Sequence, residues 1–210
     1  MKIDWTEISK YLIRAERARA QCCPRWRRYG APDAPPPLSE AEVCEAEEQL
    51  GIVFPDEYRH HLLAHSAGGQ PNRLHRSATG WGWEGDTSTD LHLLATAFPH
   101  PDSYVERVDE LDDSEPREED FPDRARHQVA WRAWDDAYGV LQEHKTSGAV
   151  YIQEHGCGFA TLLVVTGPYR GTMWFDGRAT CDLILPLTLE GRPLTFAEWV
   201  GRHSMDLVRW

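Results

Sequence analysis

The sequence predicts an α+β domain preceded by a helical, basic N-terminal arm. Three observations predict it. Helix start and stop signals crowd residues 39–69, strand-like apolar runs fill the stretch after Val150, and four prolines within residues 32–37 part a basic beginning from an acidic remainder. A chain of 210 residues suits a single domain with an appendage. Helix signals concentrated in the first part and strand-like runs through most of the second half place it in the α+β class.

Residues 4–20 read as an amphipathic helix, with Trp5, Ile8, Leu12 and Ala15 at helical spacing, Arg14, Arg17 and Arg19 around them and Asp4 at the N-cap. The prolines that follow cannot continue a helix, so residues 31–37 form an extended linker. The arm and linker are assigned to residues 1–37 and the domain to residues 38–210. Ser39-Glu40-Ala41-Glu42 is a capping box, in which hydroxyl and carboxylate answer each other's backbone N–H. Val43, Ala46 and Leu50 mark the apolar face, and Gly51 stands where a left-handed residue ends the helix. Phe54-Pro55-Asp56-Glu57-Tyr58 opens another helix, with the proline at its first position and the acids at its positive end. Tyr58, Leu62 and His65 share a face, and Gly68-Gly69 closes it.

Residues 70–90 are rich in Gly, Ser, Thr and Asn and are expected to be a loop. A strand is expected from Asp90 to Phe98 and a short helix from Asp102 to Asp109. Between Glu106 and Arg124 ten acids face three arginines, with Pro116 and Pro122 among them, which reads as an acidic, solvated loop inserted into the domain. Strands are expected at Val150–Glu154, Phe159–Thr166, Gly171–Asp176 and Asp182–Leu187. The run Leu162-Leu163-Val164-Val165 suits a central strand buried on both faces. A final helix is expected from Thr195, with Phe196, Trp199, Val200 and His203 in one stripe and Leu207 a turn later.

Charge and cysteines narrow the function. Net charge is −12, yet residues 1–29 hold eight Lys/Arg against three Asp/Glu, so the remainder carries −17. Such a body repels nucleic acid and favours a basic protein partner. Five cysteines, an odd count without a C-x-x-C pair, fit reduced thiols in the cytoplasm better than a disulfide framework. No apolar run reaches the roughly 18 residues of a membrane span, and the first residues do not resemble a secretory signal.

The residues Glu47, Leu50-Gly51, Phe54-Pro55-Asp56-Glu57-Tyr58, Leu62-Leu63 and Gly68-Gly69 together resemble the opening blocks of the SUKH superfamily. The branch they resemble contains the fungal cell-wall-synthesis regulators of the Smi/Knr type. His155-Gly156-Cys157-Gly158 with Leu162, Val164, Gly167, Gly171 and Trp174 looks like that family's central hairpin, and Thr195-Phe196 with Trp199 like its closing helix. The resemblance covers about residues 38–205 and is interrupted by the insertion near 99–130. It implies a mixed, mostly antiparallel sheet flanked by helices, no catalytic residues, and a protein-binding role. Bacterial members are implied to be immunity proteins that neutralise a polymorphic toxin, often a nuclease; fungal members are regulatory interaction modules.

Gly80-Trp81-Gly82-Trp83-Glu84-Gly85 spells G-x-G-x-x-G but lacks the strand before and helix after it that a dinucleotide site needs. Trp81 and Trp83 are therefore core residues or partner anchors. His61 and His65 share a helical face without a third ligand at diagnostic spacing, so no metal is expected. His155 and Cys157 flank a glycine and need not meet, and a cysteine nucleophile requires a base and an orienting group; Cys157 reads as a buried thiol or a tight-turn residue. The expectation is a protein without cofactor or catalysis that covers a cognate toxin's effector domain, with the regulatory module as the alternative. Asp112, Asp113, Glu115, Glu118, Glu119 and Asp120 are the carboxylates expected to meet the partner's basic groups.

Overall fold

The computed structural model describes residues 36–65, 71–202 and 204–208. The expected arm helix over 4–20, the Gly68-Gly69 stop and His203 lie outside the described residues.

Helix α1 spans Glu40–Leu50 and α2 spans Asp56–Ala64. The capping box forms as expected: Ser39 N donates to Glu42 Oε2 at 2.8 Å and Glu42 N donates to Ser39 Oγ at 3.3 Å. Gly51 terminates α1 at φ 67°, a left-handed value that costs glycine little. Pro55 stands at the N-cap of α2 rather than its first helical position. Glu47 Oε1 accepts from Phe54 N at 2.8 Å and so fixes the corner between the two helices.

Residues 74–83, expected as a loop, form a hairpin of β1 (Leu74–Ser77) and β2 (Gly80–Trp83). Composition misled here, because the period is that of a strand: Trp81 and Trp83 are buried, while Gly80 and Gly82 alternate with them on the more open side. Gln49 clamps the hairpin, its Oε1 accepting from Trp81 N at 3.0 Å, and a Cβ on Gly80 would lie 2.5 Å from that amide.

Asp90–Phe98 is not a strand. Asp90 Oδ1 accepts from His92 N at 2.8 Å and turns the chain into a 3-10 helix at Leu91–Leu93. Leu94 and Phe98 then enter two different core clusters. A 3-10 turn at Pro101–Ser103 leads into α3 (Val105–Asp113), later and longer than expected. The acidic segment is thus largely ordered: α3, a 3-10 turn at Glu118–Asp120, and α4, a helix of 21 residues over Arg124–His144.

Strands β3 (Ala149–Gly156), β4 (Phe159–Val164), β5 (Met173–Asp176) and β6 (Ile184–Pro186) form one sheet in that order. Every pair in it is antiparallel. The expected burial of β4 on both faces holds. Leu163 joins Val150, Ile152, Met173 and Phe175 against α1, α2 and the hairpin. Leu162 and Val164 join Tyr151, Trp174 and Ile184 on the opposite face with Phe98. A one-turn helix α5 (Arg178–Cys181) precedes β6, and β7 (Thr188–Leu189) pairs with β8 (Arg192–Pro193).

The closing helix is shorter than expected. It is α6 (Phe196–Trp199), ended by extended backbone at Val200 and by Gly201 at φ 93°. A 3-10 turn at Ser204–Asp206 follows, and its Ser204 Oγ accepts from Trp199 Nε1 at 2.8 Å. No helix among the described residues is long and apolar enough to cross a membrane.

Candidate functional site

Within the acidic segment Asp123 caps α4, its side chain accepting from Arg126 N at 2.9 Å. Along α4 the residues His127, Trp134, Tyr138 and Leu141 fall on one side, where they are partly buried, and Trp134 Nε1 donates to Leu111 O of α3 at 2.7 Å. His127 Nε2 donates to Pro116 O at 3.1 Å and holds the acidic turn against the helix. The opposite side, with Val129 and Val140, faces solvent. This is a helix that buries one narrow stripe and presents the rest.

The six carboxylates expected to contact a partner, Asp112, Asp113, Glu115, Glu118, Glu119 and Asp120, are all exposed on this insertion. Asp112 and Asp113 close α3, and Glu118, Glu119 and Asp120 make up the 3-10 turn. Between Val105 and His144 thirteen carboxylates face five arginines, a net of −8. Between the turn and α4 lies an open cleft of about 570 Å³ bounded by Glu118, Arg124, His127, Gln128, Trp131 and Arg132. Trp131, 41% exposed, stands on its wall. The structure sets Trp81 and Trp83 apart from this face. Each is only 4% exposed, and Trp83 Nε1 donates to the buried Tyr58 hydroxyl at 2.8 Å. They fill the core, and neither can anchor a partner at the surface.

A buried polar group fastens α4 to the sheet. Arg178 Nη1 donates to the backbone oxygen of Gln142 at 2.6 Å, in the last turn of α4 where carbonyls lack helical partners. Arg178 Nη2 donates to Asp176 Oδ2 and to the Tyr151 hydroxyl, both at 2.7 Å, and Tyr151 donates to Asp176 Oδ2 at 2.8 Å. Burial works to raise the Asp176 carboxyl, but hydrogen bonds and charge from Arg178 outweigh it and hold the group below its ordinary value. Burial pushes the Tyr151 phenol up to about 12, so it remains a donor. The Asp176 carboxylate receives four donors in all, including Arg178 Nε and the Arg178 backbone N–H. A carboxylate so occupied positions structure and is a poor general base.

The other weighed constellations do not assemble. Cys157 is exposed in the β3–β4 turn at φ 54°, whereas His155 Nε2 lies 2.7 Å from Thr161 Oγ1. His61 is wholly buried beside Tyr58 and Phe196. Among the described residues no group of three or more His, Cys, Asp or Glu is arranged to hold a metal ion. Cys44, Cys157 and Cys181 form no disulfides.

Trp131 and Arg178 were not singled out from the sequence. The spacing of Trp131, Trp134, Tyr138 and Leu141 was the available signal for α4. Asp176 lies two residues from Arg178 in the sequence, but the other partners of Arg178, Tyr151 and Gln142, lie 27 and 36 residues away and could not be read locally.

An antiparallel sheet buried on both faces, helices packed on it and an acidic helical segment over residues 105–144 define an α+β domain. The SMI1 / KNR4 family (SUKH-1) model matches residues 37–175, two thirds of the chain, and the protein belongs to that family. Domains of this family are protein-interaction modules and are generally non-catalytic. No curated protein and no solved structure matches the chain.

Proposed function

We propose that this chain is an immunity protein that binds a cognate bacterial toxin and neutralises it by stoichiometric occlusion in the cytoplasm. The observation that carries the reading is the acidic segment: six exposed carboxylates, five of them on α3 and the 3-10 turn, with Glu118 bordering a cleft that presents Trp131. A nuclease must display basic groups to engage the phosphate backbone. Carboxylates laid over those groups compete with the substrate and accelerate encounter. A partly exposed tryptophan beside such carboxylates is a residue type that often dominates binding energy.

The test begins with the neighbouring gene, which should encode a toxin with a C-terminal effector domain. The purified chain should bind that domain and abolish its activity at equimolar ratio. Replacing the six carboxylates by their amides should slow association by about 10- to 100-fold at low salt while leaving the unfolding transition in place. A chain that neither binds nor inhibits the adjacent effector, and instead captures several host proteins, is a regulatory module and not an immunity protein.

A further inference from the structure

The solvent side of α4 carries a pattern that the fold of one chain does not use. Val129 is the most exposed large apolar residue described, at 70%, and Val140 lies on the same side at 54%. Valine is a weaker helix former than alanine or leucine, so helix formation alone does not account for either. Arg126, Val129, Ala133, Asp136, Val140 and Glu143 are all exposed. They recur at intervals of three, four, three, four and three residues, which is the spacing of a seam between two helices. The charges are sorted along this stripe. Arg126 stands in the first turn of α4 and Glu143 in the last, where the helix macrodipole favours the opposite signs. Arg126 has only the exposed Asp123 at 3.7 Å, a surface pair of little worth. Asp136 and Glu143 have no ion-pair partner among the described residues.

Turned end for end, the stripe complements itself. About a twofold axis between Trp134 and Asp135, Arg126 meets Glu143 of a second copy, Val129 meets its Val140, and Ala133 meets its Asp136. The twofold repeats each layer, so two ion pairs flank two valine pairs. A parallel arrangement would instead set Arg126 against Arg126 and Asp136 against Asp136. We propose that α4 pairs antiparallel with α4 of a second copy of this chain, with the valine layers buried and Arg126 and Glu143 joined across the interface. At 3.6 residues per turn, Arg124, Gln128 and Trp131 of the cleft lie about 140° round the helix from this seam. The pairing therefore stands or falls independently of the toxin reading.

The test is sedimentation equilibrium of the full, reduced chain from about 5 to 500 µM. One helix pair falls at or below the roughly 1,200 Å² that stable interfaces bury. The dimer should therefore show a Kd of about 10–100 µM and dissociate on dilution. Arg126→Glu and Glu143→Arg each place like charges in two layers, and each should weaken association about tenfold or more. Mixed together, the two variants should associate again, because each offers the other opposite charges in both layers. Val129→Asp should abolish the dimer and leave the unfolding transition unchanged. A chain that is monomeric throughout the range, a dimer indifferent to the single charge reversals, or a mixture no better than its components would each overturn the proposal. So would a monomer whose Val129 and Val140 methyl resonances shift only on adding the adjacent effector, which assigns this face to that protein.

Discussion

Replacing Arg178 with methionine tests how the insertion is held. Methionine keeps an unbranched apolar stem but removes the guanidinium and every side-chain donor. Asp176 loses both guanidinium contacts, Tyr151 loses its donor, and Gln142 O at the end of α4 loses a 2.6 Å hydrogen bond. The Asp176 side chain is only 5% exposed, so its charge is left without a counter-ion. Breaking a buried pair in this way costs about 3–5 kcal/mol, which for a domain of this size lowers the melting temperature by about 6–20 °C. Urea unfolding at pH 7 measures the loss, and hydrogen exchange locates it. Protection should fall first at the C-terminal turn of α4, ahead of the amides of β4. The pH dependence sharpens the test. The folded Asp176 carboxyl titrates below its unfolded value, so its contribution is complete above the unfolded value, near pH 4, and is lost as pH falls through the folded one. In the variant the same carboxyl, buried without the guanidinium, is raised, so it accepts a proton early and sheds the penalty. The difference between the two proteins should therefore narrow as pH falls below about 5. An Arg178→Met protein within about 1 kcal/mol of the parent at pH 7, or a difference that widens in acid, refutes the account.

Other perturbations report on the core and its edges. Tyr58→Phe orphans the buried Trp83 Nε1 and should cost about 1–3 kcal/mol by urea unfolding, with Trp83 fluorescence shifted. Gly148→Ala forces a left-handed φ of 63° and a Cβ 2.2 Å from Thr96 O. It should lose about 2 kcal/mol or more and disturb the contact between residues 96–98 and the turn before β3. Hydrogen bonding from Arg192 holds the Glu198 carboxyl at about 2. In carbon-detected titration Arg192→Met should return Glu198 towards the ordinary carboxylate range, and the stability that this group adds above its unfolded value should shrink to what the Thr195 hydrogen bonds supply.

Local chemistry made much of the scaffold legible. The Ser39 box, the Gly51 stop and the Pro55 start each resolve within a few residues, and the run at 162–165 announces a doubly buried strand. The hairpin was hidden because glycine, serine and asparagine outweighed the alternation of Leu74, Trp81 and Trp83 in a compositional reading. The expected strand at 90–98 failed because an aspartate cap bends the chain, and because Leu94 and Phe98 serve different core clusters. The insertion read as a loop because its charges are those of a loop. Helix α4 has no residue that is fully buried, and its apolar stripe is diluted by exposed valines. The acidic residues were legible as surface, but not the tryptophan beside them. The Arg178 cluster depends on residues brought together only by the fold.

The manner of attachment of α4 has a mechanical side. Its 21 residues make a rod about 30 Å long, gripped by Arg178 at one end while the carboxylates crowd the other. A tilt of about 10° at the grip sweeps the far tip through about 5 Å, roughly one helical turn. A small change at the grip would thereby be amplified at the tip, which carries the carboxylates proposed to meet a partner, with the sheet left as it is.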